Sequence, residues 1–320
     1  MNPTLKVSVT LWLMWATILV ASPAPIRLIV AADDAGQSSS TNRGTMTVLA
    51  KGIVSSASVL VTCPGFEEFV SFARKHPKHD YGIHLSLNSE MEEIACAPVS
   101  PLQKVPSLVN SKGQLWKTQS QVVRSAKADE VERELRAQIQ KAKASGVAFS
   151  HMDSHMGTIF TRADITEIYI RLSIELGIPA LFPSEAMVPQ FEKEFPALKG
   201  KTLAFSRRLS KRGFPTFDFI HQERSLKSFE ESAQNYERIL QGLKPGLNYL
   251  IVHCATPVDL DSLENYSKRM RFHDRAIFTD NRTAGLIQSY GIQLMRGFFS
   301  QGIREGFDSL RPKVILLNQP

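Results

Sequence analysis

The stretch Leu28-Ile29-Val30-Ala31-Ala32-Asp33-Asp34-Ala35-Gly36 governs the reading of the whole chain. An unbroken aliphatic run describes a strand buried on both faces. The run stops at two adjacent carboxylates. Parallel α/β folds build their active sites just past the carboxyl ends of such strands. Two neighbouring aspartates repel unless a proton or a cation shares their site. A divalent ion would remove that cost. Three histidines further along, His84, His155 and His253, also sit in or at the ends of apolar runs.

Working outward, apolar runs at 27–32, 57–62, 82–87, 147–152, 178–182, 249–253, 292–296 and 314–317 read as strands. Amphipathic stretches lie between them. In the clearest, 129–145, Val131, Leu135, Ile139 and Ala142 share one helical face, and Gly146 follows as a stop. Residues 165–176 and 229–243 repeat the pattern. This near-eightfold β-α alternation predicts an α/β fold with a parallel sheet closed, or nearly closed, into a barrel. Two stretches break the rhythm. Residues 97–119, with Ser111-Lys112-Gly113 as a turn, predict a loop insertion with a small hairpin; residues 191–224 have no clean period. In a barrel such insertions tend to roof the site.

Four motifs carry the candidate chemistry: Asp33-Asp34, His84 within Tyr81–Leu87, the run His151-Met152-Asp153-Ser154-His155, and His253-Cys254. Taken singly each has a bland explanation. A lone histidine in an apolar strand is more often a core residue, paired aspartates can cap a helix, and Cys254 suits a small buried apolar position. Their joint placement near strand ends is what points to one mouth. One Asp and two His form an oxygen–nitrogen ligand set for Zn, Mg, Mn or Co, with water in the open positions. Such an ion acidifies its water and polarises a carbonyl. A second Asp can take the proton and a further His can donate one, which equips the site to hydrolyse an amide or ester.

The other bounds come from composition. The 320 residues are 43% hydrophobic and carry a formal charge of +7, ordinary for a globular chain. The basic run Arg207–Arg212 reads as a solvated face. No aromatic–basic interleaving, helix-turn-helix or zinc-finger spacing supports a nucleic-acid partner. Lys6, the uncharged run 7–21 and the small residues to Ala24 read as a signal peptide over 1–24, with residues 25–320 as one catalytic domain. That predicts a secreted or periplasmic protein without stable membrane association after cleavage. An uncleaved N-terminal membrane anchor is the alternative; the run is short of the roughly 20 residues a span needs. Three cysteines make no disulfide framework, and at most one bridge can form.

The segments Ala32–Gly36, Gly82–Leu87 and Asp153-Ser154-His155, with Ser58–Pro64, Glu134–Ile139 and Leu243–Gly246 in support, resemble the YdjC-like family, which includes the chitooligosaccharide deacetylases. The similarity runs from Arg27 to about Leu317. It implies an irregular, TIM-like (β/α) barrel related to the polysaccharide deacetylase barrels. It also implies a metal-dependent hydrolase that removes acetyl groups from N-acetylated oligosaccharides. Carried residue by residue, the ligands of one divalent ion, Mg or Zn first and Mn or Co as alternatives, are Asp34, His84 and His155. Asp33 becomes the base, and His253 the acid or an oxyanion partner. Asp153 would orient one of these groups, with His151 behind them at most. Two departures touch the mouth: Ala35 stands where the family has a bulkier residue, and Gly157 where many members have another histidine. Rival readings are a deacylase of another amide or lipid-linked substrate, and a glycan-binding protein without catalysis. A homodimer is left open.

Overall fold

The computed structural model describes residues 24–91, 93–223, 228–257 and 266–297. The expected signal segment before Ala24 and the expected strand at 314–317 lie outside them. In chain order the strands are β1 (Ile26–Ala35), β2 (Ser56–Val59), β3 (Asp80–Leu85), β4 (Phe149–Ser154), β5 (Phe219–Gln222), β6 (Gly246–His253) and β7 (Gln293–Leu294). The helices are α1 (Ser39–Lys51), α2 (Phe66–Lys75), α3 (Gln119–Ser125), α4 (Ala128–Ala144), α5 (Ala163–Leu176), α6 (Val188–Glu194), α7 (Thr202–Lys211), α8 (Phe229–Gln241), α9 (Tyr266–Ile277) and α10 (Asn281–Ser289).

The strands run β4-β3-β2-β1-β6-β5, every pair parallel. Residues 180–183 close the ring: Ala180 bridges Met152 of β4, and Pro183 bridges Phe217 just before β5. The result is an irregular α/β barrel, as the alternation predicts. The aliphatic run of β1 is explained by its position, with β6 along one edge and β2 on the other. Its side chains alternate between two cores. Leu28, Val30 and Ala32 pack under the helices; Ile29 and Ala31 fill the barrel interior with Phe217, Leu247 and Tyr249.

Several expected elements differ. The run 178–182 supplies only the Ala180 bridge, and 292–296 shrinks to β7, which pairs with Arg27 and Leu28 of β1 where β2 does not reach. Strand β5 arises inside the stretch without a period. All four of its residues are half-buried, so no burial alternation marks it.

The insertion at 97–119 holds two short 3-10 turns and a single antiparallel bridge, Val109 to Leu115, in place of a fuller hairpin. It is pinned to α4. Fully buried Glu134 accepts the N–H groups of Val99 and Ser100, each at 2.9 Å, and Glu130 accepts that of Ser107 at 2.7 Å. Gln138 clasps the backbone of Ser86 through both its amide atoms. The polar residues of the Glu134–Ile139 segment thus hold loops above β3, while its apolar ones face the core. Cys63 and Cys96 form a disulfide between the loops that follow β2 and β3.

Candidate metal centre

Adjacent residues on a strand point to opposite faces, so Asp33 and Asp34 can share a mouth only if the backbone breaks that rule. It does so at this point. Ala32 pairs with Ala57 and Ala35 with Val59, leaving the two aspartates opposite Ser58 alone. Asp34 adopts φ 66°, a left-handed conformation that Asp tolerates better than most side chains. This bulge re-aims the second carboxylate. Gly36, at φ 84°, completes the turn; a Cβ there would lie 2.6 Å from the carbonyl oxygen of Leu60.

The barrel delivers the remaining groups. His84 on β3 is in register with Asp153 on β4, and its Nδ1 lies 2.7 Å from Asp153 Oδ1. The other oxygen of Asp153 accepts from Ser58 Oγ at 2.5 Å. Asp153 therefore fixes the ring and leaves His84 Nε2 facing the aspartates. His155, immediately after β4, turns Nδ1 toward Asp34 Oδ1 at 3.0 Å, and its Nε2 meets Glu90 at 2.7 Å. His253 ends β6, with Nε2 3.9 Å from Asp34 Oδ2. His151 lies one step deeper on β4. It fills the space above side-chain-free Gly82, with Nδ1 2.7 Å from Ser150 Oγ and 3.6 Å from Asp80.

The ligand set fits a divalent ion. Asp34 Oδ1 stands 3.0 Å from His155 Nδ1 and 3.4 Å from His84 Nε2, and the two nitrogens are 3.3 Å apart. The centre of that triangle lies about 1.9 Å from each corner, close to the roughly 2.0–2.2 Å at which such donors hold a divalent ion. Asp34 Oδ1 is buried, yet no donor is aligned on it as a hydrogen bond. Asp33, His84 and Asp153 form a second group of potential ligands. It fits less well, because His84 already commits Nδ1 to Asp153 and its Nε2 is 4.0 Å from Asp33.

Burial and charge set the protonation states. Burial would raise Asp34, but the Arg271 guanidinium and His155 outweigh it and hold the carboxyl well below its ordinary range. Asp33 lacks such a cation, and burial pushes it up to about 7 against the pull of His84. Burial alone would lower both His84 and His155. Asp153 and Asp33 hold His84 well above its usual value, and Glu90 and Asp34 raise His155 to about 9. His253 lacks so close a carboxylate, and burial takes it down to about 4.

Two contributors are absent from the sequence reading. Arg271 of α9, 3% exposed, donates Nη2 to Asp34 Oδ2 at 2.6 Å. Glu90 comes from the loop after β3. Neither sits in an apolar strand run, so strand-end reasoning could not reach them; a charged residue on an amphipathic helix looks solvated until its partner is known. Both line, with the aspartates and histidines, a cavity of about 730 Å³ whose lining also includes Phe160, Phe191 and Phe195. No helix among the described residues is long and apolar enough to cross a membrane.

An α/β barrel with a buried Asp-His-His cluster able to hold a metal ion, at the carboxyl ends of its strands, defines the class of this protein. The model of the YdjC-like protein family matches residues 27–289, and the chain belongs to that family. A carbohydrate deacetylase of Brevibacillus brevis is 37% identical over 158 residues, 49% of this chain and 60% of that protein. One from Geobacillus stearothermophilus is 35% identical over 131 residues and is matched over 49% of its length. The chain thus spans about half to three-fifths of these two relatives. A carbohydrate deacetylase of Thermoanaerobacter pseudethanolicus is 26% identical over 269 residues, covering 83% of this chain and 96% of that protein. A crystal structure from Enterococcus faecalis V583, described as a cellobiose-phosphate cleavage protein, superposes with a TM-score of 0.68 at 22% identity. The superposition covers 90% of this chain and all of that one, and supports the fold.

Proposed function

We propose that this chain is a metal-dependent carbohydrate deacetylase that hydrolyses the acetamido group of N-acetylated sugars, chitooligosaccharides among them. The observation that carries the reading is the convergence of Asp34 Oδ1, His84 Nε2 and His155 Nδ1 within 3.4 Å of one another beside a large cavity. The names of the relatives support it.

A divalent ion held by Asp34, His84 and His155 would polarise the acetamido carbonyl and acidify a neighbouring water. Asp33, the carboxylate that neither Arg271 nor the ligand set engages, can take that water's proton. It then returns the proton to the nitrogen as the C–N bond breaks. The water oxygen stays on the carbonyl carbon and leaves in acetate; the sugar keeps a free amine. His253, held neutral by burial, suits the oxyanion role better than the acid role. It can offer an N–H to the carbonyl oxygen as charge gathers there. Asp153 orients His84, and Arg271 keeps Asp34 ionised. We further propose export through the N-terminal segment; secreted protein beginning near Ala24 to Arg27 would support it, and secreted protein beginning at Met1 would overturn cleavage.

The test is acetate release from a panel of N-acetylated oligosaccharides, with Zn, Mg, Mn or Co added to chelator-treated protein. Release restored by an ion supports the proposal. No release with any ion overturns it.

A further inference from the structure

The residues after His155 take an unusual path. Met156 has φ 54° and Gly157 φ 67°, two consecutive left-handed residues, the first of them not glycine. Such a conformation costs on the order of 1 kcal/mol or more and persists only where the surroundings impose it. Here Gln119 donates Nε2 to the Met156 carbonyl, and Asn88 lies 3.0 Å from its sulfur. The outcome is a methionine 48% exposed on the cavity wall, directly beyond a candidate metal ligand.

Gly157 serves a second purpose. A Cβ at this position would fall 2.8 Å from Cζ of Phe195, so the absent side chain is what lets that ring lie against the turn. Phe195 is half-buried and braced by Phe191 and Phe160, at centroid distances of 4.9 and 5.4 Å. The wall therefore presents a braced aromatic ring and a thioether in the cavity that the candidate ligands also line. Gln190 supplies an amide to the same cavity.

We propose that Met156, Gly157 and Phe195 form a platform for the apolar face of a pyranose ring, with Phe195 as its principal stacking residue. The proposal rests on the carbohydrate reading of the site and deepens it. A pyranose has a C–H face and a rim of hydroxyls. The wall offers the complement, an apolar surface bordered by a polar side chain. Met156 and Gly157 directly follow His155 in the chain, and the platform lines the same cavity as the candidate ligands, so a ring seated there shares that cavity with them. Since the platform reads the ring and not the acetyl group, it binds sugars with and without acetamido groups.

Calorimetric titration of the full chain with N-acetylated chitotetraose and with cellotetraose tests this. Both sugars should bind, and Phe195→Ala should weaken both about tenfold, near the upper end of what an aromatic contact supplies. Phe195→Trp should retain binding, which separates stacking from a folding defect. Gly157→Asn tolerates the positive φ but pushes a Cβ into the ring, and should reproduce the loss. Wild-type protein that binds neither sugar, or only the acetylated one, overturns the platform. So does an unchanged Kd in both Phe195→Ala and Gly157→Asn, or a Phe195→Leu variant as good as the tryptophan. If sugars bind as described but no ion restores acetate release, the deacetylase reading fails and the platform stands. If acetate is released while the variants bind normally, the platform alone fails.

Discussion

Arg271 Nη2 lies 2.6 Å from Asp34 Oδ2, an ion pair closed between residues 237 positions apart, with both side chains almost wholly buried. It ties α9 to the end of β1 and leaves the other oxygen of Asp34 facing the two imidazoles. Removing one partner of a buried pair costs up to about 3–5 kcal/mol, and the charged His155 ring on the other oxygen of Asp34 offsets part of that here. Arg271→Met should therefore lower the melting temperature of metal-free protein. The loss should grow as pH rises through about 9, where His155 gives up its proton and no longer faces Asp34 as a cation. Thermal melts of chelated protein at about pH 7 and about pH 10 check both halves; equal losses in the two would refute the electrostatic account.

Asp33 and Asp34 should respond differently to amide substitution. Asp33→Asn keeps the size and removes the base, so turnover should fall by roughly two to four orders of magnitude with metal content nearly unchanged. His84→Ala should lose the ion itself. Elemental analysis beside kinetics separates the cases. If Asp33→Asn loses the metal and Asp34→Asn keeps it, the two roles are exchanged.

Metal uptake should release protons. With His155 raised to about 9 and His84 also held well above its usual value, both rings are charged at pH 7 without metal, yet only neutral imidazole ligates. Affinity should thus climb with pH toward about 9. The metal-free protein should show the opposite trend. A raised imidazole contributes stability that is fully present below its ordinary value of 6.5 and is lost as pH rises through about 9. Titration calorimetry in buffers of different ionisation enthalpy, with melts across pH 6–10, measures both. Uptake without proton release would show that these rings are already neutral.

Glu134→Ala should loosen the roof over β3. The carboxylate accepts two backbone N–H groups and the Gln138 amide in a fully buried position. Hydrogen bonds to a charged group are worth about 1.5–3 kcal/mol each, and stranded buried donors add to the loss. A destabilisation of about 3 kcal/mol is expected, with new protease cleavage within 97–119. A variant as resistant as the parent would place the anchor elsewhere, at Glu130 or the Cys63–Cys96 bridge.

Much of the centre was legible without coordinates, for a physical reason. A strand buried on both faces must be apolar along its length, so Asp33, Asp34, His84, Asp153 and His253 stand out against their surroundings. Chain order alone then predicted the parallel barrel, because strands alternating with helices have few other ways to bury both. Strand β5 escaped because half-buried residues carry no alternation. The apolar run 178–182 reads as a full strand, yet only Ala180 of it bridges β4, because a buried apolar run does not by itself show how many of its residues find a ladder partner.

What only tertiary structure decided is how these groups face one another. Residue types cannot reveal that a bulge opposite Ser58 turns two adjacent carboxylates toward one mouth, since the strand rule says they diverge. Nor can they show that Arg271 and Glu90 belong to the cluster. The electrostatic character of a buried charge is set by the partner it meets across the barrel, and that distance exists only once the chain has closed on itself.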